Sequence, residues 1–275
     1  MFLGGGARRS VTHVISVTLV IFFTIGSFAA CSTSLVPAQV ATQGATEVAS
    51  AEHLGDSTPS IVVGIIDSGL ETNLPHFSCF NSGAAQSDPD GHGTLMASIV
   101  VGLNHSLCPE WAGRVKLKSY PVFRDGAAST QDIATALDRA VADEVKLLNM
   151  SISVAVDSPA VGAAVARAIE AGMIIVAAAG NNMGLRSSYP ARYPNVISVG
   201  SLDAAGAPSN FSSTKDVDYF AWGEDVPATD CRGAVQTVTG TSPAAASVTN
   251  SLLKILLGVS PADGKLLSLI PVHSK

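Results

Sequence analysis

Ile61-Val62-Val63-Gly64-Ile65-Ile66-Asp67-Ser68-Gly69 is an unbroken apolar run that ends abruptly in an acid and a turn. Such a run, without polar alternation, reads as a strand buried on both faces, as in a parallel sheet covered by helices. Asp67 then lies at the carboxyl end of the strand, where open α/β sheets place their sites. Taken alone, it reads equally as a turn cap. Working outward, residues 115–122 alternate as a strand does. Residues 130–142 put Ile133, Ala134, Leu137 and Val141 on one helical face. A strand over 145–151, a helix over 159–171 and a strand over 173–178 follow. Shorter strands are expected over 196–200 and 218–223, and a short helix to close the chain. Strands alternating with helices predict an α/β fold: a doubly wound, mostly parallel sheet with helices on both faces, in a single domain.

The 275 residues are 47% hydrophobic and only 14% charged, enough apolar matter for one large core. A net charge of −6 and the lack of any Lys/Arg run argue against nucleic acid as a partner. Neither Cys-x-x-Cys nor His-Glu-x-x-His occurs, so a zinc site is not expected.

The first 31 residues read as an export signal: Arg8 and Arg9, an apolar run from Val14, then Phe28-Ala29-Ala30-Cys31. That ending resembles a bacterial lipobox, which would place a lipid on Cys31 and tether the chain to a membrane through its N-terminus. Simple cleavage and a retained anchor are the alternatives. Export to the cell envelope or the extracellular space is common to all three. Residues 32–59, rich in Ala, Thr, Ser, Pro and Gly, read as a linker, and 60–275 as the folded domain. With the signal set aside, Cys79, Cys108 and Cys231 remain. In an oxidising compartment they suggest one pair and one free thiol, with the pairing open.

Three further stretches carry chemistry. Asp88-Pro89-Asp90-Gly91-His92-Gly93-Thr94 leads into a helix of small and apolar residues, with His92 held between glycines at its start. The other five histidines lie in the signal, the linker, the tail or loops without flanking glycines, which leaves His92 as the best general base. The strand over 173–178 ends in Ala179-Gly180-Asn181-Asn182, where a side-chain amide could serve an oxyanion. Val238-Thr239-Gly240-Thr241-Ser242-Pro243 runs into an alanine-rich helix. A serine at such a junction can be a cap. It can also be a nucleophile served by the free N–H groups of the first helical turn.

Asp67, His92 and Ser242 occur in one of the known orders of an acid–base–nucleophile triad. Over residues 60–257 the chain resembles the subtilisin-like serine peptidases, the subtilases. The likeness rests on Asp67-Ser68-Gly69, His92-Gly93-Thr94, Gly240-Thr241-Ser242, Asn149-Met150-Ser151, Ala178-Ala179-Gly180-Asn181 and Tyr189-Pro190-Ala191. It implies a serine endopeptidase acting on peptide or protein substrates, with Asn181 at the oxyanion. Ser151, Ile152 and Ser153 would line the substrate main chain. Ala178, Ala179 and Gly180 would wall the primary pocket, with Ser188 near its base. No charge falls there, so a neutral, mostly apolar substrate side chain is expected.

The chain departs from the family at Pro243, Ala246, Ser247, Trp222 and Ser153, none of which removes a catalytic atom. His76 stands where many subtilases carry a calcium-ligating Asp, and His105 falls in the loop that would complete that site. The calcium site is therefore expected to be lost, leaving no metal or other cofactor. The same resemblance brings the segments of Cys79 and Cys108 together, so a disulfide there could replace the metal clamp. A catalytically silent subtilase used for binding is the alternative. An α/β-hydrolase esterase fits poorly, because Ala244 fills the last position of G-x-S-x-G and only Asp263 and His273 follow the serine. A purely structural lipoprotein would leave the motifs without a purpose.

Overall fold

The computed structural model describes residues 60–80, 87–103, 108–124, 126–259 and 270–271. The export signal, Cys31, the 32–59 linker and His105 lie outside the described residues, as does the side chain of His76.

In chain order the elements are β1 (Ile61–Asp67), α1 (His92–Val100), β2 (Val115–Pro121), β3 (Phe123–Arg124), β4 (Ala127–Ala128) and α2 (Thr130–Ala142). Next come β5 (Leu147–Met150), α3 (Pro159–Glu170), β6 (Ile174–Ala178), β7 (Ile197–Leu202) and β8 (Tyr219–Trp222). The chain continues with β9 (Val226–Thr229), β10 (Val235–Val238), α4 (Thr241–Leu256) and β11 (Ile270–Pro271). The main sheet has the order β11-β8-β7-β6-β5-β1-β2. Its strands are parallel from β8 to β2, and β11 adds antiparallel to the edge at Tyr219 and Phe220. Ile270–Pro271 is a short strand, and the rest of the segment expected to hold a closing helix lies outside the described residues. β3 and β4 pair antiparallel, as do β9 and β10.

The apolar run of β1 divides between the two faces as a period of two requires. Val63 and Ile65 join Leu95, Met96 and Val100 of α1 and Ala244, Ala245, Val248 and Leu253 of α4 in one core. Ile66 joins Ile133 and Leu137 of α2 and Val161 and Val165 of α3 in the other. Helices cover both faces, and the sheet is doubly wound.

From β1 the chain passes to β2 on one side, then returns to place β5 on the other. The crevice between β1 and β5 is therefore the topological switch point, where parallel sheets take ligands at their carboxyl ends. Ile66 is level with Met150, and Met150 with Ala177. Asp67, Ser151 and Ala178 consequently share the next row, along the rim of the sheet.

β5 is shorter than the expected 145–151. At its start the Val145 N–H donates to Ala140 O at the end of α2. At its end Ser151 leaves the sheet to meet α4. Cys79 and Cys108 form a disulfide with Cα atoms 6.0 Å apart. Cys231, in the turn joining β9 to β10, is also disulfide-bonded, so the expected free thiol is absent among the described cysteines.

Candidate active site

Asp67 is fully buried at the end of β1, and its Oδ1 accepts from the Ser68 N–H and faces His92 Nδ1, each at 2.7 Å. His92 is itself buried and opens α1. Its place is set by Asp88, a buried carboxylate that accepts four hydrogen bonds. Oδ1 takes Ser68 Oγ at 2.7 Å and Gly91 N at 3.0 Å, and Oδ2 takes Thr94 N at 2.7 Å and Thr94 Oγ1 at 2.6 Å. Asp88 thereby satisfies a free N–H of the first helical turn, as a capping side chain would. Gly93 sits against the loop after β1, where a Cβ would lie 2.1 Å from Gly69 O. Only glycine lets α1 approach β1 this closely.

Burial opposes a positive charge on His92, but the carboxylate of Asp67, reinforced by Asp88 and Asp90, outweighs it and holds the imidazole above its ordinary value. Asp90 is raised in turn by desolvation and by the negative charges of Asp88 and Asp67.

Ser242 is the second residue of α4, with Gly240 as N-cap at φ 151° and its N–H given to Gly223 O at 2.7 Å. The helix begins two residues before Pro243. Pro243 sits third, where its missing N–H costs no intrahelical bond. Ser242 is half-buried; its Oγ donates to Ser151 O at 3.3 Å, and Ser151 Oγ donates to Ser242 O at 3.3 Å. α1 packs on α4, so the two helices that carry His92 and Ser242 are neighbours.

Asn181 is oriented by Thr241, whose N–H and Oγ1 donate to Asn181 Oδ1 at 3.1 and 3.0 Å. The amide nitrogen therefore turns toward Gly240, where a Cβ would lie 3.5 Å from it. Thr241 Oγ1 also accepts from Gly180 N at 3.2 Å. The hold of Thr241 on Asn181 spans 60 residues and has no local signal.

Ser151 and Ile152 are buried and Ser153 is half-buried at the mouth of the crevice. Beyond them, Val154 and Tyr189 exchange backbone hydrogen bonds of 2.7 and 2.8 Å. Ala178 and Ala179 are buried. Ser188 N donates to Ala179 O at 2.8 Å, and a Cβ on Gly180 would meet Ser188 Oγ at 2.9 Å. Ala178, Ala179, Gly180 and Ser188 therefore share one wall. Asn182, which the motifs did not single out, donates from Nδ2 to Ser188 Oγ at 2.8 Å and makes that wall more polar than expected. A small cleft opens beside Val154, lined mainly by Thr130, Ile133, Val156, Val161, Tyr189 and Tyr193. Among the described residues, no group of three or more His, Cys, Asp or Glu is placed to hold a metal ion.

A model of the subtilase family matches residues 58–261, most of the chain and all of the groups above. The chain belongs to the subtilase family. This subtilase is 30% identical over 214 residues to the minor extracellular protease Epr of Bacillus subtilis (strain 168), covering 72% of this chain and 32% of that one. It is 29% identical over 217 residues to a subtilisin of Bacillus pumilus, covering 74% and 78% of the two chains. Among solved structures it resembles the prenylagaramide maturation protease PagA, with TM-score 0.64 and 26% identity over 74% of this chain and 79% of that one. The subtilase thus spans about a third of the length of Epr.

Proposed function

We propose that this subtilase is an exported serine endopeptidase that cleaves peptide bonds through an acyl-enzyme. The observation that carries the reading is the buried 2.7 Å contact of Asp67 with His92 Nδ1, at the sheet's switch point, with His92 on a helix packed against the one that bears Ser242. With Asp67 on Nδ1, the other ring nitrogen is the one left to take a proton. Ser242 Oγ attacks the scissile carbonyl, His92 Nε2 removes the hydroxyl proton and later gives it to the leaving amine, and Asp67 stabilises the imidazolium between the two steps. The oxyanion is held by the Asn181 amide and the Ser242 N–H, which at the second helical position has no acceptor in its own helix. Ser151 to Ser153 present main chain to an extended substrate. The wall formed by Ala178, Ala179, Gly180 and Ser188 receives a neutral side chain.

Export is supported by the Arg-then-apolar start of the chain and by the extracellular relative. Mass measurement of the mature N-terminus separates a lipid on Cys31, simple cleavage and a retained anchor. We assign no metal cofactor, the Cys79–Cys108 disulfide tying together the segments that calcium would otherwise join.

Labelling the purified protein with a fluorophosphonate probe, beside Ser242→Ala, tests the activity. Label on the parent that is lost in the variant is expected. A folded parent that takes no label and cuts no peptide in a library would instead be a silent subtilase that binds.

A further inference from the structure

Ser242 is held from two sides by one residue. The Ser151 carbonyl accepts the Ser242 hydroxyl, and the Ser151 hydroxyl donates to the Ser242 carbonyl. A hydroxyl has one proton, so Ser151 can keep the second bond only if its own oxygen accepts from elsewhere. That partner is Asn149, whose Nδ2 donates to Ser151 Oγ at 2.9 Å. Asn149 is fully buried on β5, and its amide could turn over, offering oxygen to Ser151 and drawing the Ser151 proton away from Ser242. Thr249 opposes that turn. Its one proton goes to Asn149 Oδ1 at 3.0 Å, because Ala245 O, 2.9 Å away, already takes the Thr249 N–H within α4, and the site has no exposure. Thr249 is seven residues after Ser242, so two helical turns place both on the same face of α4.

We propose that Thr249 is a positioning residue for the nucleophile, acting through Asn149 and Ser151. The inference rests on the endopeptidase reading above. Its proton fixes the oxygen of the Asn149 amide, and the amide N–H then fixes Ser151. Ser151 in turn clamps both the carbonyl and the hydroxyl of Ser242. The chain of bonds leaves α4 at Thr249, crosses to β5 and returns to α4 at Ser242, so the nucleophile is set against the sheet rather than by its own helix alone.

Thr249→Val keeps the shape and removes the hydroxyl, while Thr249→Ser keeps the hydroxyl. In the full chain, Thr249→Val is expected to lower kcat about tenfold, the loss of roughly one net hydrogen bond at the transition state, with KM within about twofold. Thr249→Ser is expected to restore most of kcat. The Asn149 side-chain amide protons, followed by nitrogen-edited NMR, should exchange slowly in the parent and Thr249→Ser and fast in Thr249→Val. Should Thr249→Val fail to fold, Thr249→Ala carries the same comparison. A folded Thr249→Val with parental kcat and a protected Asn149 amide would overturn the inference. A parent without activity would sink the endopeptidase reading alone, and the Asn149 exchange would then decide this one.

Discussion

At Asp88 a single buried carboxylate takes four hydrogen bonds from Ser68, Gly91 and Thr94, and so fixes the entry of α1 on which His92 rides. Its neighbour Asp90 is exposed and acts on the same histidine through charge. A general base works neutral, so kcat/KM should fall as pH drops through the His92 value, with a midpoint above the ordinary 6.5. Asp90→Asn removes a negative charge that favours the imidazolium, and the acid limb should move to lower pH. A limb that stays put or moves the other way would show that Asp90 does not reach His92. Asn181→Ala should lower kcat by about 10²–10³ with little change in KM, the loss measured when a subtilisin is stripped of that donor. Equal losses in binding and turnover would speak against an oxyanion role. Asp67, His92, Asn181 and Ser242 are legible because each sits in a short motif of turn-forming residues. Asp88, Thr241, Asn182 and Thr249 are not, because their work is done on partners that only the fold brings near. Thr249 meets Asn149 across 100 residues, and no local pattern marks such a pair.

Among the elements, α2 follows the sequence to the residue because its boundary is local. Ser129 caps it by accepting the Asp132 N–H, and its apolar face repeats with helical period. β5 differs because other bonds claim both ends of the expected strand: the Val145 N–H closes the end of α2, and Ser151 is taken by α4. The closing helix falls on residues outside the described ones, while Ile270–Pro271 pairs along the edge of β8. The junction of β1 and α1 has the least tolerance. A Cβ on Gly93 would lie 2.1 Å from Gly69 O and 2.9 Å from Gly69 N, both backbone atoms that cannot swing aside. Gly93→Ala should therefore cost about 3 kcal/mol in urea unfolding and remove activity, since the strain falls between Asp67 and His92. A variant as stable as the parent would mean that α1 can withdraw from the sheet without harm.

Over the whole molecule, the Cys79–Cys108 bond closes a span of 29 residues that contains His92 and all of α1. Replacing both cysteines by serine should lower stability by about 3–4 kcal/mol through the freed unfolded chain, and lower Tm by roughly 10 °C. A calcium chelator should leave Tm of the parent unchanged, and a large drop would restore the metal clamp. The doubly wound architecture was legible because strand and helix periods alternate cleanly from Ile61 to Ala178. The third oxidised cysteine, Cys231, was not, because spacing alone does not say which thiols meet. The order in which the site is assembled has a consequence for the organism that makes the protein. Asp67 and His92 are synthesised early, whereas α4 follows every other strand of the main sheet except β11. A nascent or prematurely terminated chain holds the acid and the base without the nucleophile. On the proposed mechanism the blade is fitted last, and unfinished copies should cut nothing.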